Sequence, residues 1–269
     1  MSAFAARLHV LLARDAPIGL VIRRGPSKQV ATLLWDRQRD SFELGQWLKG
    51  RIYERRSDLS PDGKHLLYFA MNGHSSWTAI SRAPWLKAKV FMLKSDCWNG
   101  GGLWTGNARY WLNDGYGHTL QQNDSRLTRD LDAEPSEYFG GECLHVYYHR
   151  LMRDGWTMGE RRVLNRDHAI QLLERPLGKG WTLRKLAHSQ IGAPVGKGCY
   201  WDEHELVHLE TGQSIACPHW EWAELDGRRL VWANGGKLFA ARLGKDGLFG
   251  ETELHDFSAM RFEAIVAPY

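Results

Sequence analysis

The stretch RDSFELGQ, Arg39–Gln46, decides the fold, because the chain uses this motif three times. It recurs as RDGWTMGE at Arg153–Glu160 and, one residue shorter, as KDGLFGE at Lys245–Glu251. In each copy a basic residue followed by Asp-Gly or Asp-Ser forms a tight turn after an apolar run, which predicts a β-hairpin. The apolar runs, which predict the first strands, lie at residues 30–35, 144–148 and 238–241. A hairpin repeated along a chain is typical of stacked repeat architectures, because one copy cannot bury its apolar face alone.

A second motif, a tight turn followed by a buried strand, also recurs along the chain. It is SPDGKHLLYF at Ser60–Phe69 and ELDGRRLVW at Glu224–Trp232. Weaker copies lie at residues 15–22, 106–112 and 196–201, which makes five copies. The copy at Ser60–Phe69 resembles the TolB and WD40-like propeller repeat, in which this turn joins the innermost strand of a blade to the next strand outward.

This resemblance implies an all-β chain folded as a single β-propeller. Trp-Asp pairs of the WD40 kind stand at Trp35-Asp36 and Trp201-Asp202. A blade takes roughly 40 to 50 residues, so a chain of 269 residues has room for five or six blades. The five copies of the motif predict five blades, with six as the alternative.

The last apolar segment predicts how the ring closes. Arg261–Val266 has the pattern of another innermost strand, but no chain follows it that could build a blade. We therefore expect Arg261–Tyr269 to pair with strands formed by residues 7–24 and to cover the edge of the first sheet.

Residues 1–269 are predicted to form one domain with a single long insertion. Residues 113–141 are polar and rich in turn residues, which predicts a mobile loop at the rim of the propeller. The apolar side chains of this loop are Tyr116, Leu120, Leu127, Leu131 and Tyr138. A further insertion, residues 164–178, has no pattern that decides its secondary structure.

Composition and charge exclude several classes of protein. The 35 Lys and Arg residues stand against 31 Asp and Glu, and the basic pairs are scattered, so no nucleic-acid partner is predicted. The first apolar run is cut by Arg7 and ended by Arg14-Asp15, too short for a secretory segment, and no membrane partner is predicted. The 4 cysteines are far apart with no CxxC pair, which favours a reducing cytoplasm over disulfides or a zinc site.

The common catalytic and cofactor motifs are absent. The chain has no GxSxG, GxxxxGK[ST], GxGxxG or HExxH motif, and no cofactor is predicted. The tightest histidine pairs are His145/His149 and His204/His208. On a strand the rings of His145 and His149 would stand about 13 Å apart, too far to share one metal ion, and no metal site is predicted.

Three glutamates form the sharpest candidate for a catalytic site. Glu54, Glu221 and Glu263 each follow an aromatic residue on a segment predicted as an innermost strand, where alternation sends the two side chains to opposite faces. If the aromatic rings pack between blades, the three carboxylates ring the axial channel, as acids do in five-bladed glycoside hydrolases. Glycoside cleavage needs one protonated and one ionised carboxyl group. The alternative is structural, with the glutamates paired to neighbouring arginines or to backbone amides.

Two tryptophans are candidates for ligand binding. Trp98 and Trp104 flank Gly100-Gly101-Gly102, and the glycine run predicts a loop on which both are exposed. An exposed Trp can stack on a sugar or anchor a partner, although most of the 13 Trp are expected to fill the wedges between blades.

Two functional hypotheses follow from these patterns. The missing catalytic motifs favour a non-catalytic, cytoplasmic propeller scaffold that presents one face to a protein or peptide partner. The alternative is a carbohydrate-binding protein or glycoside hydrolase that uses carboxylates at the mouth of the channel. The sequence decides neither the identity of the partner nor the oligomeric state.

Overall fold

A computed structural model describes residues 6–25, 28–115, 117–135 and 137–269. Within these residues the chain forms 22 β-strands, one α-helix and one short 3-10 helix, and the strands lie in five sheets. Most of the strand pairings are antiparallel. The prediction of an all-β chain is confirmed.

The chain divides into two compact units. The larger unit contains His9–Arg150 and Met260–Tyr269. The smaller unit contains Leu151–Ala259 and the described residues of Met1–Leu8. That the whole chain is one domain stays a prediction.

Three sheets lie mainly in the larger unit. Their strands are β1 (Arg7–Leu12), β2 (Ile18–Arg24), β3 (Gln29–Asp36), β4 (Ser41–Lys49), β5 (Arg51–Ile52), β6 (Asp58–Leu59), β7 (His65–Met71), β8 (Ser76–Arg82), β9 (Ala88–Lys94), β10 (Gly102–Trp104), β11 (Arg109–Leu112), β12 (His118–Gln122) and β13 (Thr128–Arg129). The first sheet has the order β1-β2-β3-β4. The second has the order β12-β9-β8-β7-β5, with β6 also paired to β7, and the third has the order β10-β11-β13.

Strand β7 lies inside the second sheet because its sequence is apolar on both faces. Leu66–Ala70 is buried throughout, and no residue of this run is more than 2% exposed. A continuous apolar run is typical of a strand that is covered on both sides. Strand β7 and its neighbour β8 therefore form a rigid base for the side chains at their ends.

Two sheets lie in the smaller unit. Their strands are β14 (Thr157–Asn165), β15 (His168–Gly178), β16 (Trp181–Gln190), β17 (Tyr200–His208), β18 (Ser214–Cys217), β19 (Trp222–Asp226), β20 (Arg229–Asn234), β21 (Lys237–Leu243) and β22 (Leu248–Asp256). Both sheets follow chain order, β14 to β18 and β19 to β22. Each is therefore a meander of consecutive strands.

Several predicted turns are confirmed. Arg39–Gln46 spans the turn between β3 and β4, and Lys245–Glu251 spans the turn between β21 and β22. The turn-plus-strand motif leads into β7 at Ser60–Phe69 and into β20 at Glu224–Trp232. The turn chemistry of these stretches was sufficient to predict them.

The hairpin predicted at Arg153–Glu160 is wrong, because the run before it is helical. Helix α1 spans Glu142–Arg153. Residues 143–148 are buried without a break, as are Arg150 and Leu151, so the segment shows no strand-like alternation of buried and exposed residues. A helix that is buried on most of its sides is covered by the surrounding protein. Gly155, at φ +94°, supplies the left-handed residue that follows many helices.

The closing strand predicted at Arg261–Val266 is also wrong, because residues 260–269 form no strand. The segment lies instead across side chains of β4. The ring of Phe262 lies 6.0 Å from that of Trp47, and the Gln46 Nε2 donates to the Ile265 carbonyl at 2.8 Å. Because a side chain satisfies this carbonyl, the segment needs no strand neighbour there. Val266, expected to be buried, is 86% exposed.

Both predicted insertions contain strands. Residues 113–141 include β12, which pairs with β9, and β13, which pairs in parallel with β11. Leu127 is buried, whereas Leu120, Leu131 and Tyr138 are exposed, and Tyr116 lies outside the described residues. Residues 164–178 form the end of β14 and all of β15. The predicted mobility of residues 113–141 stays a prediction.

Candidate functional site

The larger unit contains an open cleft of about 700 Å³. This volume lies within the roughly 300–1,000 Å³ of small-molecule sites. The wall is built by the ends of β7, β8 and β9 and by the turns before β7, β11 and β13. Its lining is partly apolar and partly charged: Ile18, Leu34, Asp62, Gly63, Lys64, His65, Arg82, Ala83, Lys89, Asn107, Ala108, Asp124, Arg126 and Leu127.

One side of the cleft is the turn Ser60–His65. The Gly63 amide donates to the Ser60 carbonyl at 2.8 Å, which closes the turn. Gly63 has φ +75°, and a Cβ at this position would lie 2.8 Å from Ile18 Cβ. Glycine is therefore required both by the backbone conformation and by the close approach of Ile18. The turn motif that the sequence repeats thus also forms part of the cleft.

Asp62 is held in place by its own turn and by the next one. Its carboxylate accepts hydrogen bonds from Ser60 Oγ at 2.7 Å and from the Lys64 amide at 3.1 Å. Its own amide donates to Asn107 Oδ1 at 3.0 Å, and the Lys64 ammonium lies 3.2 Å from Oδ2. Burial alone would raise the pKa of Asp62, but the bonds from Ser60 and Lys64 keep it below its usual range. Asp62 is therefore ionised at neutral pH.

A second carboxylate, Asp124, is paired with two cations. The Lys89 Nζ lies 2.5 Å and the Arg126 Nη2 2.8 Å from Asp124 Oδ2. Arg126 Nε also donates to Oδ1 at 2.9 Å. The hydrogen bonds from Arg126 and Lys89 hold the pKa of Asp124 far below its usual range. The Arg126 side chain is 72% exposed, so it can contact a ligand while it keeps its bonds to Asp124.

The cleft carries an excess of positive charge. Its four cationic side chains are Lys64, Arg82, Lys89 and Arg126, and its two carboxylates are Asp62 and Asp124. With His65 neutral, four positive and two negative charges leave a formal charge of +2. A concave surface with one sign of charge attracts small ions of the opposite sign.

His65 lies among these charges and has an unused ring nitrogen. Its Nδ1 is buried and has no hydrogen-bond partner in the described part of the chain, and its ring lies 5.8 Å from that of Trp104. Burial lowers the pKa of His65; the two carboxylates oppose this effect, whereas Lys89 and Arg82 add to it. Because its pKa is lowered, the imidazole is neutral at pH 7, and its buried Nδ1 is not in contact with solvent.

A second histidine, at the other end of the same strands, is hydrogen-bonded at both ring nitrogens. His118, on β12, has Nδ1 2.6 Å from Asp114 Oδ1 and Nε2 2.9 Å from Thr78 Oγ1. Because the carboxylate accepts the Nδ1–H, the Thr78 hydroxyl donates to Nε2. Carboxylate, imidazole and hydroxyl thus follow the order of a catalytic triad.

The burial of this triad indicates a structural role. Thr78 is 0% exposed, and its Oγ1 also accepts a hydrogen bond from the Gly101 amide at 2.9 Å. Arg129 Nη1 donates to Asp114 Oδ2 at 2.9 Å. Burial lowers the pKa of His118 although Asp114 acts to raise it. A neutral His118 therefore joins β8, β12 and the glycine loop, and no substrate can reach the Thr78 hydroxyl.

Glu54, the first of the three predicted catalytic glutamates, is paired. It lies on the 3-10 helix Glu54–Arg56 and forms an ion pair with Arg24. Burial alone would raise the pKa of Glu54, but the charges of Arg24 and Arg51 hold it below its usual range. A general acid for glycoside cleavage needs a raised pKa, and Glu54 lacks one.

The other two glutamates are not placed beside Glu54 by any described contact. Glu263 is exposed on the terminal segment of the larger unit. Glu221 belongs to the smaller unit, where its Oε2 accepts a hydrogen bond from the Leu8 amide at 3.0 Å. The role of the three glutamates at a channel mouth stays a prediction.

The two predicted binding tryptophans differ in exposure. Trp98 is 57% exposed, as expected from the glycine run beside it. The expectation for Trp104 is wrong, because this residue ends β10 and is 0% exposed. Its ring packs 6.0 Å from Tyr110 and its amide donates to Asp58 Oδ2 at 2.7 Å. Trp104 therefore supports the cleft from behind His65, and a binding role for Trp98 stays a prediction.

Neither His65 nor His118 was predicted as a site residue from the sequence. The available signal for His65 was its position directly after the Ser-Pro-Asp-Gly turn, and for His118 it was the dipeptide Gly117-His118. No local pattern connects Arg82, Lys89 and Arg126 with that turn. Arg82 and Lys89 meet that turn because β7, β8 and β9 are neighbours in the sheet, and Arg126 joins them through the turn before β13, where Asp124 pairs with both Lys89 and Arg126.

The helix changes the spacing of the histidine pair His145/His149. Their ring centroids lie 5.0 Å apart, closer than on a strand, because they are four residues apart on α1. In the described ranges, no group of three or more His, Cys, Asp or Glu side chains could hold a metal ion. Likewise, no helix in that part of the chain is long and apolar enough to cross a membrane.

Comparisons with known proteins give distant structural neighbours. No family model and no curated protein matches the chain. One similar solved structure is described as a "putative 6-phosphogluconolactonase" from Bacteroides uniformis ATCC 8492; it has 9% identity and a TM-score of 0.27, and the match covers 93% of this chain and 86% of that one. A second, with the same description, is from Bacteroides fragilis NCTC 9343, with 8% identity, a TM-score of 0.24, and coverage of 91% and 82%.

These neighbours correct the functional prediction. Both are described as enzymes, which contradicts the hypothesis of a non-catalytic scaffold for a protein or peptide partner. At TM-scores of 0.27 and 0.24 the likeness carries no argument about the substrate or the site residues of this chain.

Proposed function

We propose that this chain binds a small anionic molecule in the cleft of its larger unit. The observation that supports this most strongly is the charge of the cleft, where four cationic side chains face two carboxylates around an open volume of about 700 Å³. Both carboxylates are already paired, Asp62 with Lys64 and Asp124 with Lys89 and Arg126. The excess charge is thus available to a ligand.

The cations of the cleft are exposed to solvent, so a ligand can reach them. The Lys64 side chain is 74% exposed and that of Arg126 is 72% exposed. Arg82 is also exposed, and its guanidinium lies over the ring of Tyr269 at 4.8 Å. An arginine held by a ring or a carboxylate is partly ordered before a ligand arrives, which reduces the entropy lost on binding.

The apolar part of the lining supports a ligand with an organic body. Ile18, Leu34 and Leu127 line the same cleft as the charged groups. Sites for small molecules combine apolar walls with a few placed polar groups that fix the orientation of the ligand. A bare inorganic anion would leave this surface unused.

The test is a calorimetric titration with phenyl phosphate and with neutral benzyl alcohol. We expect phenyl phosphate to bind and benzyl alcohol not to bind, and we expect the affinity to fall when sodium chloride is added, since salt screens exposed charges. Arg126→Gln removes one cation from the cleft and is expected to weaken binding at least several-fold.

Arg39→Gln is the matched control. Arg39 is also an exposed arginine, 83% exposed, that pairs with an aspartate in a turn, Asp36, but it does not line the cleft. Binding that weakens equally in both variants would show a non-specific effect of net charge. Absence of any binding by the wild-type chain would refute the proposed function.

We also propose that the five sheets are the blades of a five-bladed propeller. The support is that the described part of the chain forms five sheets and that the turn-plus-strand motif occurs five times in the sequence. The predicted closure of the ring by a terminal strand has no support, because Arg261–Val266 is not a strand. Small-angle X-ray scattering of the whole chain tests the proposal, since a ring of blades and two separated units give different radii of gyration.

A further inference from the structure

We infer that the ligand of the cleft carries a phosphate monoester in its dianionic form; this inference rests on the proposed function. The cleft has a formal charge of +2. A phosphate monoester carries about −1.5 to −2 charges at pH 7, whereas a carboxylate or a sulfate ester carries one. A dianion neutralises the cleft, and a monoanion leaves one cation uncompensated.

The donors around the cleft suit a tetrahedral anion. Arg126 uses Nε and Nη2 on Asp124, and its remaining N–H groups and those of Arg82 are planar guanidinium donors of the kind that phosphate oxygens accept. Lys64 adds an exposed ammonium group, which acts as a point charge. These three cations lie on different elements that line the same cleft, and each can donate to an oxygen of a phosphate monoester.

The formal charge of +2 does not include a charge on His65. It is faced by Asp62 on its own turn, by Arg82 on β8, by Lys89 on β9 and by Asp124 before β13. Its pKa lies below its ordinary value because it is buried. Burial therefore shifts protonation of the imidazole to lower pH, whereas the ligand loses its second charge near pH 6.

This gives a distinctive dependence on pH. Between pH 7.5 and 5.5 a phosphate monoester passes from dianion to monoanion, so its affinity is expected to fall as the pH is lowered. A sulfate ester of the same shape keeps one charge throughout this range, so its affinity is expected to stay level. If His65 becomes protonated at still lower pH, the affinity of both esters rises.

The experiment compares phenyl phosphate with phenyl sulfate by calorimetry, because the two differ in charge and hardly in shape. At pH 7.5 we expect phenyl phosphate to bind about five- to tenfold more tightly, the effect of one further charge near exposed cations. We expect this ratio to fall to about two- to threefold at pH 5.5, because roughly a quarter of a monoester with a second pKa near 6 is still dianionic there. Lys64→Gln and Arg126→Gln are expected to reduce the ratio at pH 7.5, whereas Arg39→Gln leaves it unchanged.

The outcomes separate the two proposals. If both esters bind equally at pH 7.5 and Arg126→Gln weakens both, the preference for a dianionic phosphate is refuted, but anion binding in the cleft is retained. An affinity ratio that does not change with pH would also refute the preference for the dianion. Binding of neither ester, or binding that Lys64→Gln and Arg126→Gln leave unchanged, would overturn both proposals.

Discussion

The two ends of strands β8 and β9 show two different uses of the same kinds of side chain. At one end, Thr78, His118 and Asp114 bond to one another, and Thr78 is fully buried. At the other end, His65 keeps an unpartnered Nδ1 beside an open cleft whose cations exceed its carboxylates. The first set resembles a catalytic triad in order, but its hydroxyl is buried, whereas the second set borders an open cleft with exposed cations and a net positive charge. Accessibility and net charge, rather than residue type, therefore identify the candidate site.

The largest expected effect is a difference in stability between alanine variants of the two tryptophans, one at each end of the strands. Trp104 lies buried behind His65, and Trp98 lies exposed on the loop that contacts Thr78. We expect Trp104→Ala to lower the free energy of unfolding by about 3–5 kcal/mol, because it leaves a large cavity. Trp98→Ala is expected to change it by less than about 0.5 kcal/mol. Urea denaturation followed by circular dichroism measures both, and similar costs would contradict the assigned burial.

The next largest effect is a difference in stability between leucine variants of the two histidines. His118→Leu leaves the buried Thr78 hydroxyl without its acceptor, which is expected to cost about 1–3 kcal/mol, while the partly exposed Asp114 keeps its pair with Arg129. His65→Leu removes a nitrogen that had no partner, so a smaller loss is expected. Urea denaturation of the two variants in parallel gives the comparison. A larger loss for His65→Leu would reverse the roles assigned to the two ends.

The sequence was sufficient to predict the local features at the cleft end of these strands. The turn at Ser60–His65 and strand β7 were predictable because Asp-Gly chemistry and an unbroken apolar run act over a few residues. The run at residues 144–148 was misread because a short, mostly apolar run fits a helix or a strand. The cleft could not be predicted, because Arg82 and Lys89 lie on neighbouring strands, Arg126 lies in the turn before β13, and the three share no sequence pattern.

The buried His118 is also expected to make the free energy of unfolding depend on pH. Burial lowers the pKa of His118 in the folded chain, so near pH 6 the unfolded chain binds more protons than the folded chain. The free energy of unfolding is therefore expected to fall as the pH drops below about 6.5, the ordinary value for histidine. In His118→Leu this fall should be shallower. Urea denaturation between pH 7.5 and 5 measures it, and a wild-type stability that rises on acidification would contradict the account.

The smallest effects are expected at the exposed arginines. Arg129→Gln removes a partly exposed ion pair with Asp114, which is expected to cost roughly 0.2–1 kcal/mol. Arg126→Gln should leave the thermal midpoint close to that of the wild type, because this side chain is mostly exposed, while it weakens binding of the ligand. Differential scanning calorimetry of both variants is the measurement. A marked loss of stability in Arg126→Gln would make its pair with Asp124 a structural element rather than part of a binding site.

The most direct test of the anion-binding cleft is a crystal structure of the protein soaked in tungstate, a tetrahedral dianion that scatters anomalously. The account predicts an anomalous peak in the cleft, within hydrogen-bond distance of Arg126 and of Arg82 or Lys64, and its loss in crystals of Arg126→Gln. An empty cleft with tungstate bound elsewhere on the surface would contradict the account.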